Sequence, residues 1–199
     1  MITHQPDILD RLRAETRPQH DRLEEVAASD KLASGSLTPE EYTRLLEANY
    51  IAHRRLEGAI RQVAGMDSLV ADRQKQALLE QDLRQAGIDP EAVWEKRKDL
   101  LPHAELQGSH QALGAQYVME GATLGGVVIL KALHQHPQLQ SYQPFHYYGC
   151  YGGDTGRQWS GFKQLLRQQV QDTAQENAVL EGCRRAYALF EKAFLAVQM

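Results

Sequence analysis

The sequence predicts an all-α fold. Three observations carry that prediction: apolar residues recur at spacings of three and four through nearly every long segment, helix start and stop residues stand at the ends of those segments, and no run alternates apolar and polar residues as a half-buried strand does. At 199 residues the chain suffices for one well-buried core and hardly for two, so a single domain over residues 1–199 is expected.

The first helix is expected after Asp7, a good N-cap, with Ile8, Leu9, Leu12, Leu23 and Val26 on its buried side. Pro18 lies inside it and removes one backbone donor, which implies a kink or a restart near Thr16. Thr38, Pro39 and Glu41 have the spacing of a capping box with proline at the first helical position, opening a helix that runs to roughly Val63. A third spans about residues 69–86, where Gly87 supplies a left-handed stop. Asp89 and Pro90 start a short helix through Trp94 to about Leu100. The next, about residues 109–134, contains Gly121, Gly125 and Gly126 and stops before Pro137. Residues 138–156 are rich in Tyr, Gly and Pro and read as a long ordered loop. Thr155 or Gly156 then opens a helix through Trp159, Phe162, Leu165 and Leu166, and a last helix covers about residues 175–197.

Composition narrows the function. The net charge of -4 argues against a nucleic-acid partner, since neutralising phosphates takes a clustered Lys/Arg excess. An anionic small ligand therefore needs a local basic patch. The strongly apolar stretch from Leu124 to Leu130 is far short of a membrane span, and Met1 to Leu12 has neither a basic nor an apolar leader region. A cytoplasmic protein with no membrane partner is expected. Cys150 and Cys183 are too few and too far apart for a disulfide framework or a Cys-rich metal site and read as free thiols.

The glycines of the fifth helix call for a reason, because each interior glycine costs a helix about 1 kcal/mol relative to alanine. Gly121 and Gly125 are four apart and present one bare strip of backbone. Such a strip admits either a second helix or a flat ligand to van der Waals contact with the main chain, and it permits a bend. Both readings stand on the glycines alone.

Arg13, Arg17, His20 and Glu24 are spaced by four, three and four, which puts them on one stripe of the first helix. A neutral imidazole is a good iron ligand, a carboxylate one turn away can hold its other ring nitrogen, and two guanidinium groups can pair with a ligand's carboxylates. The same spacing also makes ordinary surface ion pairs. The other histidines have poorer company: His134 and His136 end a helix, His53 sits mid-helix beside Arg54 and Arg55, and His103, His110 and His146 fall in or near loops. No Glu-x-x-His occurs, which disfavours a paired-metal site in a helical bundle.

In order, three blocks resemble the heme oxygenase family, particularly its bacterial members, including those that make biliverdin for bacterial phytochromes. Leu12-Arg-Ala-Glu-Thr-Arg-Pro-Gln-His20 with Leu23 and Glu24 is similar to the proximal-helix motif. Tyr117-Val-Met-Glu-Gly-Ala-Thr-Leu-Gly-Gly126 is similar to the distal-helix motif. Tyr148-Gly149 and Gly156-Arg-Gln-Trp-Ser-Gly-Phe-Lys-Gln-Leu-Leu-Arg167 match a third block.

The resemblance implies a multihelical fold with heme between a proximal and a kinked distal helix. It implies His20 as the axial iron ligand, Glu24 as the group that orients it, and Gly121, Gly125 and Gly126 as the catalytic distal backbone. Arg13, Arg17, Lys163 and Arg167 fall where the family holds the heme propionates, and Tyr117 and Tyr187 fall beside the heme, with core packing an equal alternative for Tyr187. The implied reaction takes heme, both cofactor and substrate, with O2 to biliverdin, carbon monoxide and ferrous iron. Electrons would come from an external ferredoxin, flavodoxin or reductase, because no redox-cofactor fingerprint is present. A bacterial phytochrome is the implied bilin acceptor. Two departures stand out: Ala122, where the mammalian enzymes carry a carboxylate, and Pro18 inside the proximal motif. The competing readings are a non-enzymatic heme carrier or sensor, and a helical domain of this fold with another ligand, as in thiaminase-like proteins.

Overall fold

Helical periodicity becomes eight α-helices among the residues described by the computed structural model, which are 7–27, 31 and 34–198. The first six residues, part of the stretch read above for a leader, lie outside that set. In α1 (Ile8–Val26) the Asp7 carboxylate accepts the Leu9 N–H at 3.3 Å, as the sequence leads one to expect. The expected restart near Thr16 does not occur, and the helix runs on through Pro18. Ala14, whose carbonyl loses its partner at Pro18, is exposed, so water can take that bond. α2 (Pro39–Arg61) opens on the full capping box: Glu41 N–H to Thr38 Oγ1 at 3.2 Å and Thr38 N–H to Glu41 Oε2 at 2.9 Å.

The single helix expected over 69–86 is split into α3 (Met66–Val70), a 3₁₀ turn (Ala71–Arg73) and α4 (Gln76–Gln85). The cause is a long-range cap. The Glu57 carboxylate of α2 accepts the backbone N–H of Lys75 at 2.8 Å and of Gln76 at 3.2 Å, satisfying donors at the start of α4 that no local side chain caps. Gly87, with φ +74°, ends α4 as foreseen. α5 (Pro90–Arg97) starts at Asp89 and passes into a 3₁₀ turn (Lys98–Leu100).

α6 (Ser109–Gln135), α7 (Thr155–Gln169) and α8 (Thr173–Gln198) complete the set. The expected loop before α7 contains two 3₁₀ turns, Pro137–Tyr142 and Gly152–Asp154. α6 and α8 pack most extensively, and their main chains meet. A Cβ on Gly114 would lie 1.9 Å from the Val179 carbonyl oxygen, and one on Gly182 2.0 Å from that of Gln111. By length and composition α6 also passes for a membrane span; in this fold it packs against α8, α7 and α2. Buried residues of all eight helices form one core cluster, with Tyr42, Tyr50, Ile51, Leu56 and Phe162 among the sealed side chains.

The 143–151 segment is pinned from α4. Asp82, itself buried, accepts the N–H groups of His146 and Tyr147, each at 2.8 Å. Phe145, at φ +62°, drives its ring between Tyr42 and His134. This fixes where Tyr147 and Tyr148 face.

Candidate functional site

A cavity of about 490 Å³ opens between α1 and α6, with α8 and the 147–148 segment as further walls. That volume suits a ligand of cofactor size. α1 contributes Arg13, Thr16, Arg17, His20, Leu23 and Glu24, so the stripe read from the sequence does face the cavity. His20 is half exposed, and its Nδ1 lies 3.6 Å from Glu24 Oε2 and 3.6 Å from Asp21 Oδ1. At those distances the carboxylates lie near Nδ1 without a hydrogen bond to it. They turn Nδ1 toward carboxylates and leave Nε2 without a partner among the described residues. The three side chains can bring one ligand atom each within 4.8 Å of one another, and they are the group among the described residues placed to hold a metal ion. Arg17 pairs with Asp21 at 2.7 Å and Arg13 with Asp10 at 3.7 Å, both in solvent. Exposed pairs of this kind contribute about 0–1 kcal/mol, so both guanidinium groups can exchange partners readily.

Opposite stands the glycine strip. A Cβ added at Gly125 meets nothing within 4 Å, and one at Gly121 only the Trp159 ring edge at 4.0 Å. Gly126 lies closer in: a Cβ there would stand 3.5 Å from the Tyr148 carbonyl oxygen. The close helix-helix contact that was one reading of these glycines belongs instead to Gly114 and Gly182. Gly121 and Gly125 offer their backbone to the cavity. Tyr117 and Tyr187 also line it; Tyr187 sits edge-on to His20 at 6.4 Å, and burial raises the pKa of both phenols.

Lys163 and Arg167 do not line the cavity. Arg167 Nε donates to Asp7 Oδ2 at 2.9 Å, a bond that holds Asp7 below its ordinary pKa, and Lys163 Nζ lies 5.9 Å from the Trp159 ring. Both sit outside the wall, in which Trp159 is the α7 residue.

Sequence reasoning missed the polar groups behind the wall. Lys75, 1% exposed, reaches the cavity, and its ammonium donates to Glu120 Oε1 at 2.6 Å and to the Arg73 carbonyl at 2.9 Å. Glu120 immediately precedes Gly121, is 0% exposed, and also accepts from Arg73 at 2.7 Å and from the Tyr151 hydroxyl at 2.8 Å. A buried carboxylate between two cations is strongly destabilised when a partner is removed, by about 3–5 kcal/mol. The position of the glycine strip is thus tied to the 71–75 turn. A second set, Asn49, His53, Glu57 and Tyr147, stands beside it. The one carboxylate of α6, directly before the glycines, was the available signal for the first set. The second has only the i,i+4 spacing of His53 and Glu57.

The family model described as heme oxygenase matches residues 6–196. No curated protein sequence matches the chain. Among solved structures, the chain is similar to the NO- and CO-bound heme oxygenase from Neisseria meningitidis, with TM-score 0.70, 18% identity and coverage of 97% of this chain and 92% of that one. It is also similar to heme oxygenase-1 from the cyanobacterium Synechocystis in complex with heme, with TM-score 0.67, 16% identity and coverage of 96% and 91%. Heme oxygenase from Leptospira interrogans follows, with TM-score 0.66, 15% identity and coverage of 95% and 98%. At these identities the structures show a shared fold, and the family model spans nearly the whole chain. The protein belongs to the heme oxygenase family.

Proposed function

We propose that the cavity takes heme as its substrate, with His20 as the axial ligand, and that the enzyme opens it with O2 and external electrons to biliverdin, carbon monoxide and ferrous iron. The observation that carries this reading is a free His20 Nε2 on one side of the cavity facing bare backbone at Gly121 and Gly125 on the other. A flat macrocycle needs such a slot, and side chains at those two positions would fill it. Bound heme supplies the iron that activates O2 and the ring that is cleaved. The chain's own residues do the rest. Glu24 and Asp21 hold the Nδ1 side of His20, keeping Nε2 the coordinating nitrogen. Arg13 and Arg17 hold the carboxylate edge, with Lys163 and Arg167 extending that basic rim. Gly121, Gly125 and Gly126 set how closely the main chain approaches the far face. In this reading the protein is a single-domain cytoplasmic enzyme; a ferredoxin, flavodoxin or reductase supplies electrons, and a bacterial phytochrome accepts the bilin.

Purified protein titrated with hemin should develop a Soret band, and His20→Ala should lose or shift it while remaining folded. Reductant with O2 should then bleach that band and raise bilin absorption. A Soret band that persists under competent electron delivery would instead mean a heme carrier. No Soret band at all would mean a different ligand on this fold.

A further inference from the structure

We propose that Tyr147 exchanges protons with the cavity, and that the sealed His53–Glu57 pair behind it stores one proton. The biological use of such a store rests on the heme reading above; its existence does not. His53 and Glu57 are 1% and 3% exposed, and Tyr147 stands between His53 and the cavity it lines.

The hydrogen bonds determine where the protons lie. Glu57 Oε1 accepts from the backbone N–H of Lys75 and faces His53 Nδ1 at 2.9 Å. A carboxylate that already receives backbone donors stays ionised, so Nδ1 carries the imidazole hydrogen. Nε2 is then an acceptor, 3.2 Å from the Tyr147 hydroxyl. That hydroxyl has a second acceptor, Asn49 Oδ1, at 3.1 Å. Asn49 cannot turn its amide to help, because its nitrogen donates to the Leu45 carbonyl at 2.8 Å. One phenolic hydrogen thus serves two acceptors, and one of them always goes short.

An added proton on Nε2 completes the set. Nε2–H then donates to the Tyr147 oxygen, and the Tyr147 hydrogen goes to Asn49. Loading is a balanced double hop: an acid in the cavity gives its proton to the Tyr147 oxygen, the original Tyr147 hydrogen moves to Nε2, and the acid is left as its conjugate base. Discharge is the reverse, with Tyr147 neutral at both ends. Among the described residues the His53 imidazole bonds to Glu57 and Tyr147 only, and the amides behind Glu57 do not pass protons on. The groups around His53 keep the store easy to empty. Burial and the Lys75 ammonium oppose its charge; Glu57 and, from α6, Glu120 favour it; the α8 neighbour is the uncharged Phe190 ring. Burial prevails, and His53 titrates below an ordinary imidazole.

The test uses ¹⁵N-histidine NMR on the full chain without ligand. His53 is expected as the neutral Nδ1–H tautomer at mildly alkaline pH. At a pH low enough to load Nε2, exchange of the Nε2 hydrogen with solvent should slow by about tenfold or more in Tyr147→Phe, at unchanged fold. A second measurement needs no variant: filling the cavity with zinc protoporphyrin should slow the same exchange. An Nε2–H tautomer, or an exchange rate unchanged in Tyr147→Phe, overturns the proposal; should that variant not fold, unchanged exchange in the filled protein does so. Porphyrin absorbance reports separately whether the cavity binds the macrocycle, so failure of the heme reading and failure of the store are told apart.

Discussion

Two His–Glu pairs with identical i,i+4 spacing behave oppositely. His20 and Glu24 lie half in solvent beside the cavity, while His53 and Glu57 are sealed and bonded. The first pair was legible because its basic company lies on the same helix. The second was not, because Tyr147, Lys75 and Gln76 reach it from 18 to 94 positions away along the chain. Lys163 and Arg167 test the rim from the other side. Replacing either by Ala should change the ratio of bilin isomers more than heme affinity, because an exposed charge binds weakly but biases in-plane orientation. Arg167 would act through Asp7 and the start of α1, the helix that carries His20. Product chromatography decides this, and unchanged isomers in both variants would remove the pair from the site.

Helix ends set by local chemistry were readable one by one: Asp7, the Thr38 box, Gly87 and Asp89–Pro90 all act as the sequence suggests. The break at 71–75 was hidden, because its cap is Glu57 on a helix 18 residues earlier. Glycine shows the same limit. Gly114 and Gly182 stand alone in the sequence, yet they make the closest main-chain approaches among the glycines, whereas Gly121 and Gly125 of the conspicuous cluster face open space. Gly114→Ala should therefore destabilise by about 1–3 kcal/mol or more through overpacking. Gly125→Ala should stabilise the ligand-free protein by up to about 1 kcal/mol through helix propensity while weakening porphyrin binding. Denaturant unfolding with porphyrin titration separates the two, and equal stability losses would contradict the placement of the strip.

The whole molecule joins these parts through buried ionisable groups, and its stability should depend on pH accordingly. His53 lies below its ordinary value of 6.5, so the unfolded chain binds more protons as pH falls from there, and stability drops. Burial works against the Glu57 charge, but hydrogen bonds from His53 and the backbone N–H groups of Lys75 and Gln76 outweigh it, holding Glu57 below 4.5 and adding a further loss under that pH. Asp82, raised from 3.8 by burial, acts in the opposite sense and softens the fall at the acid end. Urea midpoints measured from pH 7 to 4 should decline, with the decline above pH 5 reduced in His53→Gln; a flat profile would refute the assignment. At this scale the family was legible from the order of three short blocks, but the polar interior was not, since it depends on which distant segments the packed core brings together.

α6 is, mechanically, a beam held at three points. One is the main-chain seam at Gly114, the second is buried Glu120, bonded to Arg73 and Lys75, and the third is the end where buried Leu133 meets the core and the exposed His134 ring meets Phe145. Between the last two, Val127 and Val128 are exposed on the outer side, and the inner side is the cavity. A beam yields most at mid-span, and the span from Glu120 to Leu133 carries Gly125 and Gly126 there. Its compliance is therefore concentrated against the ligand, so that the same residues that open the slot also let its far wall settle onto what enters.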